Sequence, residues 1–141
     1  MADILFSNEN MQIINMTAKI TKADIIDCVI TEDKLIFIVS TGQVGIALGP
    51  KAKNLEKLRN LFKKSIKFVE FHPDKETFIK NLCKPYKIKS ITLEGEDENL
   101  VAKVDVEVSD KSKIIGKGGK NIEIIRELAA RHHSFKDVQI K

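Results

Sequence analysis

The amino-acid sequence predicts an α+β chain built from two tandem copies of one small unit, each with helices packed on a three-stranded sheet. Three observations predict it. Gly49-Pro50-Lys51-Ala52-Lys53-Asn54-Leu55-Glu56-Lys57-Leu58-Arg59 lies over Gly116-Lys117-Gly118-Gly119-Lys120-Asn121-Ile122-Glu123-Ile124-Ile125-Arg126 with the first Gly, a Lys, the Asn, the Glu and the Arg in register. Further on, Ser65-Ile66-Lys67-Phe68-Val69-Glu70-Phe71 resembles Ser134-Phe135-Lys136-Asp137-Val138-Gln139-Ile140, in the same order along the chain. Two such pairings point to a duplicated unit. Finally, 141 residues at 43% hydrophobic and 31% charged suffice for two small cores and are too apolar for a disordered chain.

The first unit is expected to open with a helix from Asn8 to Lys19 that turns Met11, Ile14 and Ala18 inward. Strands follow at Ile25 to Ile30 and Lys34 to Ser40, joined by a tight turn at Thr31-Glu32-Asp33. A short helical turn, Gln43 to Leu48, leads to the loop at Gly49. A helix carrying Leu55, Leu58 and Phe62 comes next, and Ile66 to Phe71 is the last strand. His72-Pro73-Asp74 marks the boundary, because proline disfavours helix at the residue before it and Asp74 can cap the helix that follows. The expected units are therefore residues 1–72 and 73–141.

The second unit repeats the plan. A helix spans Lys75 to Leu82 and a strand Ile88 to Leu93, followed by an acidic turn from Glu94 to Asn99. Leu100, Ala102, Val104, Val106 and Val108 then alternate with Val101, Lys103, Asp105 and Glu107, the period of a half-buried strand. After the second glycine loop, Ile122, Ile125, Leu128 and Ala129 share one helical face, and Lys136 to Lys141 closes the unit as a strand.

Several function classes are set aside by composition. Cys28 and Cys83 are far apart and each lies in an apolar stretch, so they read as buried, reduced thiols. No His/Cys spacing suits zinc, and His132-His133 reads as a helix end or surface pair, so neither metal nor cofactor is expected. No Ser/His/Asp set, paired carboxylates or phosphate-binding P-loop emerges, so catalysis is not expected either. The start, MADILFSNEN, lacks the basic lead and apolar run of a signal peptide, and no stretch of about 20 apolar residues could span a bilayer. A soluble, cytoplasmic protein without membrane contact is expected.

The chemistry concentrates in Ile114-Ile115-Gly116-Lys117-Gly118-Gly119-Lys120-Asn121-Ile122, which fits the I-G-x-x-G-x-x-I core of a KH domain. A helix must stop, turn and restart there, which glycine permits because it tolerates positive φ. The restarting helix offers unpaired N–H groups to phosphate, and Lys117 and Lys120 add charge. Asn121 is expected to cap this helix, and Ile115, Ile122 and Ile125 to line an apolar groove beside it. With Arg126, these residues make up the expected site for single-stranded RNA, roughly four nucleotides per unit.

The first copy, Gly49-Pro50-Lys51-Ala52, has lost its closing glycine, and Pro50 removes an N–H donor. It reads either as a weaker RNA site, with Lys53, Asn54 and Arg59 contributing, or as a loop that packs without ligand. The net charge of +4 is mild, but its distribution supports a bound polyanion. Lys51, Lys53, Lys57, Arg59, Lys63, Lys64 and Lys67 are interrupted by Glu56 alone, while acids gather in the Glu94–Glu98 turn.

These residues resemble the archaeal NusA-like transcription factors, which consist of two KH domains of type II. The resemblance runs from Asp27-Cys28-Val29 and Leu35-Ile36-Phe37-Ile38-Val39 through Val44-Gly45-Ile46-Ala47-Leu48-Gly49. It continues through the inter-domain segment Phe78-Ile79-Lys80-Asn81-Leu82-Cys83-Lys84-Pro85 to the second glycine loop and Arg126-Glu127-Leu128-Ala129. It implies RNA binding and a role in transcription termination, antitermination or elongation, with RNA polymerase or other transcription factors as partners. Pro50 and Ala52 depart from the family's glycine loop. The rival classes are a ribosome-associated or RNA-assembly scaffold and a protein-interaction module.

Overall fold

The chain separates at His72/Pro73 into two compact units with the same order of elements. The computed structural model describes residues 7–141; residues 1–6, which include most of the apolar start, lie outside the described residues.

In the first unit α1 (Asn8–Thr21) starts at Ser7, whose side chain accepts a hydrogen bond from the Asn10 N–H. Strands β1 (Ile25–Ile30) and β2 (Lys34–Val39) pair antiparallel. Then α2 (Val44–Leu48), a 3-10 turn (Pro50–Ala52) and α3 (Lys53–Phe62) carry the chain over the sheet, so that β3 (Ser65–Glu70) runs parallel to β2. A parallel neighbour requires such a crossover. The core is Cys28, Leu35, Phe37, Val39, Ala47, Leu58 and Ile66, with Ile14, Ala18, Leu55 and Phe62 packed against it.

The second unit holds α4 (Lys75–Cys83), β4 (Ile88–Glu94), β5 (Val101–Val106), α5 (Val108–Ile115), α6 (Lys120–His133) and β6 (Asp137–Ile140). Asp74 caps α4 by accepting from the Thr77 N–H, 2.9 Å away. The sheet order β4-β5-β6 again places an antiparallel pair beside a parallel one. Along β5, Ala102, Val104 and Val106 are buried while Val101, Lys103 and Asp105 are half-buried, the alternation the sequence shows. Both units are thus small α+β folds with helices on a three-stranded sheet, as the sequence predicts.

Three local expectations are corrected. Met11 points outward at 50% exposure, because the covered face of α1 runs through Ile14, Thr17 and Thr21 and Met11 falls to one side of it, while Ile14 and Ala18 pack on the core as expected. Val108 does not extend β5. The chain turns at Glu107, whose carbonyl accepts from the Asp110 N–H, and Val108 opens α5 at 87% exposure. The match between the closing strands is also shifted. The ladders pair Leu35 with Ile66 and Ala102 with Val138, so Ile66 corresponds to Val138, not to Phe135. The cause is helix length: α6 has 14 residues against 10 in α3, about one extra turn.

Candidate nucleic-acid interface

The second glycine loop joins α5 to α6 through three residues of positive φ: Gly116 (79°), Gly118 (63°) and Gly119 (75°). The N–H of Gly116 closes α5 on the Ser112 carbonyl, and that of Gly119 returns to the Gly116 carbonyl at 3.1 Å. The tip is left bare. Lys117 and Gly118 are exposed, and their N–H groups donate to no acceptor among the described residues. A β-carbon on Gly118 would meet nothing within 4 Å, so the tip has open space around it. Lys117 and Lys120 stand exposed on either side. Bare N–H groups, a helix start and two ammonium groups together suit a phosphate.

The sequence places Asn121 as a cap, and the structure gives it another task. Gly119 occupies the N-cap position, Asn121 lies inside α6, and its Nδ2 donates to the Ile114 carbonyl at 2.7 Å. It thereby satisfies one of the carbonyls left open where α5 ends. The first unit has a similar bond one residue earlier along its helix, with Asn54 Nδ2 donating to the Ile46 carbonyl at 3.3 Å. A β-carbon on Gly116 would lie 2.8 Å from the Asn121 Cβ, and one on Gly49 would lie 2.7 Å from the Asn54 Nδ2. The first glycine and the asparagine five residues later therefore form one clasp. Its signal was present in the sequence as the same Gly-to-Asn spacing in both copies.

Three further residues of the expected site make contacts within their own unit. Ile122 and Ile125 are 4% and 2% exposed and pack in the core, whereas Ile115 and Ile124 are half-buried. Arg126 is held by its own unit: Nε donates to the Val138 carbonyl at 3.0 Å and lies 2.9 Å from Asp137 Oδ1, while Nη1 meets Glu123 Oε1 at 2.9 Å.

The first loop keeps the backbone of the second. Gly49 has φ 75°, ψ 172° against 79°, 168° at Gly116. Lys51 (52°, 32°) and Ala52 (58°, 30°) follow Gly118 (63°, 19°) and Gly119 (75°, 13°). Each of these non-glycine residues sits in the left-handed region at a cost of about 1 kcal/mol. What the first loop loses is a donor: Pro50 has no N–H, and among the described residues only the Lys51 N–H remains unused at the tip.

Charge is distributed differently in the two units. Lys51, Lys53, Lys57, Arg59 and Lys63 are exposed and form no ion pair among the described residues, while Lys64 Nζ donates to the Thr31 carbonyl. In the second unit Lys111, Lys113, Lys117 and Lys120 are exposed, but Arg126 and Arg131 are tied to Glu123, Asp137 and Glu127. His132 and His133 do not simply face solvent. Their rings meet the edge of Phe78 at 5.8 and 5.3 Å. Among the described residues no helix is long and apolar enough to cross a membrane.

Comparison with known proteins agrees with this geometry. Residues 75–138 match the NusA-like second KH domain, and residues 12–73 match the KH domain. A protein of Halobacterium salinarum named "Probable transcription termination protein NusA" is 33% identical over 97% of this chain and 98% of its own length. A protein of the same name from Methanocaldococcus jannaschii is 26% identical over 99% of this chain and 76% of its own. The crystal structure of the protein APE1850 superposes with a TM-score of 0.78 at 31% identity, covering 96% of this chain and 100% of that one. With two KH folds in series, two glycine loops of one geometry and relatives matching along nearly its full length, this chain belongs to the archaeal NusA-like family of tandem KH proteins.

Proposed function

We propose that this chain binds single-stranded RNA through its KH glycine loops and acts, without catalysis of its own, in transcription termination or elongation beside RNA polymerase. The observation that carries the reading is the bare tip of the second loop, where the N–H groups of Lys117 and Gly118 are unused among the described residues and Lys120 stands exposed close by in sequence. KH folds clamp about four nucleotides of unpaired strand in this way. The first loop serves as a weaker site, since it keeps the backbone but offers one donor fewer. The transcriptional role rests on the name the relatives carry.

Titration of labelled single-stranded and duplex RNA over a salt series tests the binding. Single strands should bind tighter, and log affinity should fall with log salt at roughly −0.7 per phosphate contacted. Equal affinity for both forms, or a flat salt response, would rule the reading out and favour an interaction module. A tagged pull-down with and without nuclease tests the partner. Recovery with ribosomal subunits instead of polymerase would favour the scaffold role.

A further inference from the structure

The two repeats carry an arginine at the same position, Arg59 on α3 and Arg126 on α6, in opposite circumstances. In the parallel ladder of the second unit the Lys141 N–H bonds the Val104 carbonyl, so alternate residues face β5 and Val138 faces the free edge. That edge is closed from within. The Val138 N–H donates to Asp137 Oδ1 at 2.8 Å, its carbonyl accepts from Arg126 Nε at 3.0 Å, and the two side chains pair at 2.9 Å.

In the first unit the same ladder logic applies. The Ser65 N–H bonds the Asp33 carbonyl, so Ile66 faces the free edge of β3, and Ser65 stands where the second unit has Asp137. A serine hydroxyl supplies no counter-charge. Arg59 is exposed, makes no side-chain hydrogen bond or ion pair among the described residues, and shares its helix with Lys53 and Lys57.

Building on the RNA-binding reading above, we propose that the two arginines have divided their work. Arg126 is an internal tie holding α6 to β6 and does not touch the ligand, whereas Arg59 is a phosphate contact of the bound strand, freed by the serine at position 65. A guanidinium without a carboxylate partner is the stronger ligand for a polyanion, because no internal bond must be exchanged for the external one. The first unit then supplies through α3 part of what its loop lost at Pro50.

The test uses the full chain and one labelled single-stranded RNA over a salt series. Arg59→Gln should lower affinity several-fold and reduce the log–log slope by roughly 0.7, the signature of one lost phosphate contact. Arg126→Gln, which keeps an N–H for the Val138 carbonyl, should leave the slope unchanged and lower Tm. Ser65→Asp should reduce affinity much more in the wild-type background than beside Arg59→Gln, since it acts by capturing Arg59. The proposal is overturned if Arg59→Gln keeps the wild-type slope, if Arg126→Gln reduces it equally, or if Ser65→Asp acts alike in both backgrounds. A wild-type chain with no salt-dependent binding would instead overturn the RNA reading itself.

Discussion

At the scale of single residues the two loops are best compared by what each position must tolerate. Lys117 and Gly118 lie at a tip where a new side chain meets open space. Replacing both with Asp sets two negative charges where a phosphate would lie and removes one positive charge. A charge-assisted contact is worth ~1.5–3 kcal/mol, so RNA affinity should fall about tenfold or more. The fold should survive, at a loss of about 1 kcal/mol for Asp in the left-handed region at position 118. The same change at Pro50 and Lys51 should cost clearly less affinity, since that loop already lacks a donor. Titration of both variants, with melting curves as the folding control, decides between them. An equal loss would show the two loops to be equivalent. A separate outcome follows from the left-handed residues of the first loop. Ala52→Gly relieves the φ of 58°, offset in part by the greater freedom of glycine in the unfolded chain. Stability should rise by about 0.5–1 kcal/mol, read from denaturant melts; a fall would mean that Ala52 is not strained.

At the scale of elements, the alternation from Leu100 to Val108 shows where a sequence pattern stops being informative. Val106 is 3% exposed and Val108 is 87% exposed, though they sit two residues apart in the same apparent period. Val106→Ser should therefore destabilise by about 2 kcal/mol or more through loss of buried apolar surface, while Val108→Ser should stay within about 0.5 kcal/mol. Similar losses in thermal melts would restore Val108 to the sheet. The core helices, the strands and the glycine loops were legible because their periods and glycines are local signals. The clasp of Asn121 on the Ile114 carbonyl was not, since it depends on how two helices meet. The tie of Arg126 to β6 was equally hidden, because it joins residues 11 and 12 positions apart across a turn whose length differs between the copies. Sequence matching aligned the closing strands by residue type and missed the extra turn of α6, which only the ladder register reveals.

At the scale of the whole molecule, the chain presents one two-donor loop and one single-donor loop, each with exposed lysines nearby. A KH fold clamps about four nucleotides, so on the proposed reading affinity should rise when the RNA becomes long enough to engage both units, through the effective concentration of the second site. Titration with single strands of increasing length measures this. Affinity that stops rising at about four nucleotides would assign binding to one unit. The clasp between glycine and asparagine also dictates the order in which a duplicated loop can decay. Its last two glycines can drift to alanine or lysine at about 1 kcal/mol each. The first cannot, because any β-carbon there strikes the asparagine five residues later while the backbone lies in a region reserved for glycine. A copy under relaxed demand therefore loses glycines from its far end and keeps the first, which is the state in which Gly49-Pro50-Lys51-Ala52 is found.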